Sequence, residues 1–425
     1  MKSVFQKGGR MRDRFMLKTL TLVALVVVAP ILVAAVRTTD DIHTPQGVTV
    51  HEWGTFTSVA GIDGMAVDWR PAGGPSDLPC FVALSDPSNV KLIGTGPANL
   101  LGGREGEGRI RMETPVLYFY SPKETTVNVR VNFPHGLITE YYPTIAKVGP
   151  SNLAAAIKDL RSATGSIEWN NVKVMPGAPD SYPVEAGKSH YYAARRTESN
   201  PLQVGNQKEK FLFYRGIASF QPPIAARVNG NGTIDVTNPG DEQVPGIVLF
   251  ENRDGKIGYT IVRDLDKQTT IEPPIRTSDF ASLQRSLEGL LVEQGMYAAE
   301  ASAMVETWKD TWFEKGTRVF YIVPPKTVDA ILPLSIEPKP AHVARAFVGR
   351  VEIITADMQK QVLTAIRTRD MPVLESYGRF LSPIVNRVYA KLSDADWKMA
   401  TEDIASIRAG YVANVTACTR NQRGW

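Results

Sequence analysis

The stretch HEWGTFT, residues 51–57, decides how this chain is read. As a helix it would be a piece of a zinc-protease motif; as a strand it would be part of a core. The helical motif needs a second histidine four residues after the first, on the same face, with the glutamate between them as base. Thr55 stands at that position. Gly54 and its β-branched and aromatic neighbours favour a strand, in which His51, Trp53 and Thr55 face one side and Glu52, Gly54 and Phe56 the other. Adjacent imidazole and carboxylate then point apart and do not readily act on one substrate atom. The expectation is a strand entering the core with one polar edge.

Working outward, residues 45–275 read as strands and turns. PVLYFY (115–120) and TVNVRVNF (126–133) are rich in β-branched and aromatic residues and are separated by SPKET, a plausible turn. RVNGNGTIDVTN (227–238) and GIVLFENRDGKIGYTIV (246–262) place Asn231-Gly232 and Asp254-Gly255 between strand-like halves. Such pairs supply the positive φ that tight hairpins need. Repeated strand and turn favour an antiparallel sandwich or barrel, because a parallel sheet needs helical crossovers. One helix, over 151–165, is expected to interrupt it.

After residue 275 the apolar period lengthens to about 3.6. Phe280, Leu283, Leu287, Leu290 and Leu291 form one helical stripe ended by Gly295, and Tyr297, Ala301, Met304, Val305, Trp308 and Trp312 form another. TRVFYIVP (317–324) and VARAFVGRVEIIT (343–355) return to strand character, and the prolines between 324 and 340 suggest a stiff, extended connection. Helices close the chain, the last with Ser393 as cap and Asp396 three residues on. The expected fold class is α+β: an antiparallel β-sandwich-like domain over 45–275, then an α-rich C-terminal region over 276–425 with a few added strands. Those strands could join the first sheet, which would make the boundary compositional only.

Residues 1–36 are different in kind. A basic segment precedes Thr19 to Val36, 18 positions without a charge. This is either a signal peptide ending near Val33-Ala34-Ala35 or a retained membrane anchor, since 18 residues cover about 27 Å of a hydrocarbon layer of roughly 30 Å. Both readings deliver the remainder outside the cytoplasm: periplasmic, secreted, or tethered to the outer face of the membrane. Six of the 48 Lys and Arg and one of the 44 Asp and Glu lie in residues 1–35, so the body carries 42 cationic against 43 anionic side chains. A nearly neutral body argues against nucleic acid as a partner.

Cys80 and Cys418 are the two cysteines. Export permits a disulfide between them, and two separate buried thiols are the alternative.

Three segments mix histidine, aromatic rings and charge. They hold His51 and Trp53; His135, Glu140 and Tyr142; and His190, Tyr192 and Arg196. Their rings and polar edges suit a glycan, a peptide or an envelope protein partner. No cofactor is called for by that reading. The rival reading is a metal-assisted hydrolase in which His51, His135 and His190 converge on zinc or another divalent metal, with Glu52 or Glu140 assisting. Arg350 and Glu352, on one side of their strand, read as a buried ion pair. No phosphate-binding loop ending in GK[ST], no dinucleotide fingerprint and no G-x-S-x-G elbow occurs.

VHEWGTFTSVAG, ETPVLYFY and RAFVGRVEIIT together resemble an uncharacterised family of exported bacterial proteins. The resemblance implies export and brings no activity or catalytic residue with it.

Overall fold

The structure, a computed structural model, describes residues 47–69, 78–85, 109–186 and 189–407. The leader and Cys418 lie outside the described residues. Cys80 is disulfide-bonded. Among the described residues no helix is long and apolar enough to cross a membrane.

The first half contributes β1 (Thr49–Gly61), β2 (Ala83–Leu84), β3 (Ile110–Tyr120), β4 (Thr125–Pro134), β5 (Gly136–Tyr142), β6 (Lys147–Gly149), the short helix α1 (Leu153–Ala156) and β7 (Thr164–Val174). Then come β8 (Leu202–Val204), β9 (Gln207–Glu209), β10 (Leu212–Ala218), β11 (Ala225–Val228), β12 (Ile234–Thr237), β13 (Val244–Arg253), β14 (Lys256–Leu265) and β15 (Gln268–Ile271). The second half has α2 (Phe280–Glu293), α3 (Ala298–Trp312), β16 (Gly316–Ile322), α4 (Pro325–Ile331), β17 (Leu334–Glu337) and β18 (His342–Ile354). It ends in α5 (Ala356–Thr368), α6 (Met371–Ser376), α7 (Leu381–Val388) and a helix over 394–407.

The fold is mixed, with one large sheet and most of its helices toward the C-terminus. Fifteen strands belong to that sheet, whose main path runs β14-β13-β16-β18-β1-β3-β10-β5-β7-β4-β17. HEWGTFT lies in β1, near the middle, antiparallel to β3 and parallel to β18. All 13 residues of β1 are buried, because both faces of the sheet are covered there. The face parity read from the sequence holds: Trp53 joins the cluster packed under the helices, while Phe56 joins the opposite one.

Chain connectivity bends this sheet back on itself. β17 lies seven strand spacings from β18 along the path, about 33 Å in a flat sheet at roughly 4.8 Å each. Residues 338–341 join the two, and that link reaches only about 17 Å at full extension. The far strands therefore fold over the near ones. The apolar cluster on the enclosed face agrees, uniting Val129, Ile167 and Trp169 from one end with Ile247, Leu249 and Val319 from the other.

On the outer face α2 and α3 bury Leu283, Leu287, Leu290, Met304 and Trp308 against Trp53, Phe320 and Val348. The helices α5 to α7 cover Val59 and Ile354 at the far ends of β1 and β18. β11, β12 and β15 form a separate three-stranded antiparallel sheet.

Several local expectations change. β3 and β4 do not pair across SPKET; β3 lies between β1 and β10, whereas β4 lies between β7 and β17. The helix expected over 151–165 is one α-turn and one 3-10 turn, capped by Asn152. The proline-rich connection is not merely extended, since Pro325 opens α4 and β17 follows. The composition changes near residue 275 while the sheet does not, for β16 and β18 are central to it and the described residues form one compact unit. Two other signals hold as read. Asp254 and Gly255 both take positive φ (53° and 85°) in the β13–β14 hairpin. Ser393 and Asp396 exchange side-chain to backbone bonds at the start of the last helix.

Candidate functional site

His51 is buried, and its Nδ1 donates to Glu300 Oε2 at 2.7 Å. Glu300 also accepts from the Tyr297 backbone amide (2.8 Å) and, on Oε1, from the Tyr120 hydroxyl (2.7 Å). Burial, then the Glu300 charge, pushes the Tyr120 pKa far up, so this hydroxyl remains a donor. Three donors satisfy one carboxylate at the first turn of α3. Tyr297 and His342 stand beside the imidazole, with ring centroids 4.5 and 6.0 Å away. Glu52, on the other face, accepts from Tyr214 (2.5 Å) and Arg345 (2.6 Å).

The stacking surface expected from the aromatic strands is not on offer. Trp53 and Tyr142 are 0% and 4% exposed. Burial, with Glu209 nearby, raises the Tyr142 pKa to about 12. Glu140 is buried too, accepting from Thr139 and facing the Arg215 position across β5 and β10. These side chains alternate into faces that are both covered, so their aromatic character makes core.

His190 opens a 3-10 turn, His190–Arg195, and sits 3.7 Å from Asp310 of α3. Arg196 extends into solvent toward Glu306, 3.8 Å away. Tyr192 accepts from the Glu185 amide at 3.0 Å. Its neighbour Arg195 is the organised residue here, paired twice with buried Glu209 (2.8 and 2.6 Å) and within 6.0 Å of the Phe81, Tyr182, Tyr191 and Tyr192 rings.

The three histidines therefore keep separate company. Glu300 and Asp310, the partners of His51 and His190, lie on α3 about 15 Å apart at roughly 1.5 Å per residue. His135 lines a cleft with Ser58 to Ala60, about 25 Å along β1 from His51 at roughly 3.3 Å per residue. Among the described residues no group of three or more His, Cys, Asp or Glu side chains is placed to hold a metal ion. The three-imidazole centre of the hydrolase reading is thus corrected to three separate sites.

Two buried ionic groups hold the sheet and the C-terminal helices together. Glu352 accepts from Arg318 Nε (2.8 Å) and Arg350 Nη2 (2.9 Å), the ion pair expected from the sequence with Arg318 added. Glu113 is paired with Arg111 (3.0 Å) and with Arg379. Burial alone would raise both carboxyls, but the neighbouring guanidinium charges outweigh it and hold each below its ordinary 4.5. A depressed folded pKa gives stability that is complete above the unfolded value, about 4.5, and is lost as pH falls through the folded one. Glu209 acts oppositely, its carboxyl raised by burial despite Arg195. Asp159, Asp180, Asp235 and Asp254 are held low as well, so urea unfolding free energies should drop as pH falls below about 4.5, and Glu352→Gln should flatten that slope. An unchanged slope in the variant would contradict this.

The larger of two open clefts among the described residues with small-molecule volumes lies elsewhere, beside the end of β1; the other, of about 470 Å³, runs along α5. A cleft of about 730 Å³ is walled by Ser58–Ala60, Gly64–Ala66, His135, Arg161, 219–222, 224–226 and Val351. That volume is in the range of small-molecule sites, about 300–1,000 Å³. Ala60, Phe220 and Ile224 make its apolar walls, and Ser58, His135, Arg161 and Gln221 bring polar groups. His135 adopts a left-handed backbone (φ 59°) at the β4–β5 turn, with Nδ1 donating to the Arg161 carbonyl. Of the sequence-predicted residues, His135 alone lines this cleft. The others come from distant turns with no shared motif.

No protein-family model and no curated protein matches the chain. Among solved structures it resembles the yeast delta-COP-I mu-homology domain at 8% identity and a TM-score of 0.24, over 72% of this chain and 96% of that one. The same domain complexed with a Dsl1 WxWxV peptide gives 7% identity and 0.22, with the same coverage. At these values the likeness carries no argument about fold or ligand.

Proposed function

We propose that this protein acts by binding a small ligand or peptide segment outside the cytoplasm, and that the cleft at the end of β1 receives it. The observation that carries this reading is the cleft: an accessible volume of about 730 Å³ with apolar walls and a few polar groups. A ligand with an apolar body suits it better than a glycan, whose hydroxyls need more polar partners than Ala60, Phe220 and Ile224 offer. The folded-over sheet is read as a β-sandwich-like scaffold whose rigid end holds the cleft loops. Export by the leader, suggested by its charge pattern, places such a ligand in the periplasm, at the envelope or outside the cell.

Titration with the fluorescent apolar anion 8-anilinonaphthalene-1-sulfonate tests the placement. The expected result is saturable binding that Ala225→Trp abolishes, because Ala225 is exposed on the cleft wall and an indole there fills it. Binding that is unchanged in a folded Ala225→Trp variant would overturn it.

A further inference from the structure

We infer that His51 and His342 form a two-histidine site for a divalent transition ion of the kind imidazole binds, such as zinc. It lies at the start of β1 and β18, away from the cleft and independent of it. In the parallel pairing of these strands Thr49 stands across from His342, and His51 across from Ala344. His51 and His342 therefore project from neighbouring strands to the same face, the one under α3. Their ring centroids are 6.0 Å apart, with the planes at 75°. An ion about 2.0–2.1 Å from each nitrogen sets two such centroids roughly 5 Å apart in tetrahedral geometry. His342 is exposed, so a turn of its side chain closes that difference.

The buried ring is prepared for such a role. Glu300 accepts from the Tyr297 amide and the Tyr120 hydroxyl as well as from His51, so the carboxylate is an acceptor throughout and the His51 proton lies on Nδ1. The neutral ring then keeps an in-plane lone pair on Nε2, which makes no hydrogen bond among the described residues. A carboxylate behind a histidine fixes tautomer and ring orientation in metal-ligating histidines, and Glu300 also sets a negative charge close to the cation. Of the three rings beside His51, Tyr120 turns its hydroxyl to Glu300, and Tyr297 lies against the imidazole at 4.5 Å. His342 is the one that brings nitrogen, and it enters no hydrogen bond or ion pair among the described residues. Neither His135 nor His190 takes part, and two protein ligands leave positions open for water or a bound molecule.

Zinc ion titrated into purified protein carrying isotope-labelled histidine, followed by NMR of the ring nitrogens, tests the site. One equivalent is expected to shift a ring nitrogen of His51 and one of His342 together, and to leave those of His135 and His190 in place. Glu300→Gln should weaken zinc binding about 10–100-fold, as loss of the group behind a ligating histidine does. His342→Gln, which removes a ligand at an exposed position and leaves the core intact, should weaken it by at least as much. Full affinity in a folded His342→Gln variant, or zinc that shifts His342 without His51, would mark an adventitious ion only and overturn the proposal. So would the absence of any shift at millimolar zinc.

Discussion

Replacing Glu352 with alanine is expected to lower the unfolding free energy by about 3–5 kcal/mol, the usual cost of stripping one partner from a buried ion pair. The side chains of Arg318 and Arg350 are both 0% exposed, and Glu352 lies against them at 2.8 and 2.9 Å. The other Arg318 donors go to the carbonyls of Trp312, Glu314 and Lys315, at 2.6 to 2.9 Å. Those oxygens orient the guanidinium but carry no full charge. Arg350 keeps Glu314 at 2.7 Å, a carboxylate 37% exposed and so partly screened by water. Without Glu352, Arg318 loses its direct counter-charge inside the fold. Urea denaturation followed by circular dichroism gives the number, and a loss under about 1 kcal/mol, the range of exposed pairs, would contradict the assignment.

Trp53→Ala should cost a similar amount, about 3–5 kcal/mol, as large aromatic truncations in a packed core do. The indole is 0% exposed and belongs to the cluster that α2 and α3 close over, 6.3 Å from the Tyr118 ring. A tryptophan displayed for stacking on a ligand would behave differently, its removal changing stability by about 0.5 kcal/mol or less. The same denaturation experiment thus separates a core residue from a binding platform.

That contrast shows what local sequence conveyed. Alternation in HEWGTFT correctly sorted Trp53 from Phe56, because side-chain direction in a strand is a period-two property of neighbouring residues. Asp254-Gly255 and Ser393 were legible for the same reason: turn and cap chemistry act over two to four residues. The pairing of β1 with β18 was not legible, since Val50 meets Val343 across most of the chain. Nor was the Glu300 partner of His51, 249 residues away. Aromatic residues in strands serve core and ligand surface equally well, and only the second covered face of the sheet decided for core. The cleft was least accessible to sequence reading, because Ser58, His135, Arg161 and Phe220 come from four separate turns or strand ends. One of them, His135, drew notice by its residue type, without any sign of what it would line.

Hydrogen–deuterium exchange with and without saturating 8-anilinonaphthalene-1-sulfonate tests the placement of the binding site most directly. The account predicts slowed exchange confined to the cleft wall, at 64–66, 135–136 and the 219–226 segment. Slowed exchange instead around His51 and the 190–196 turn, with the cleft wall unchanged, would contradict it.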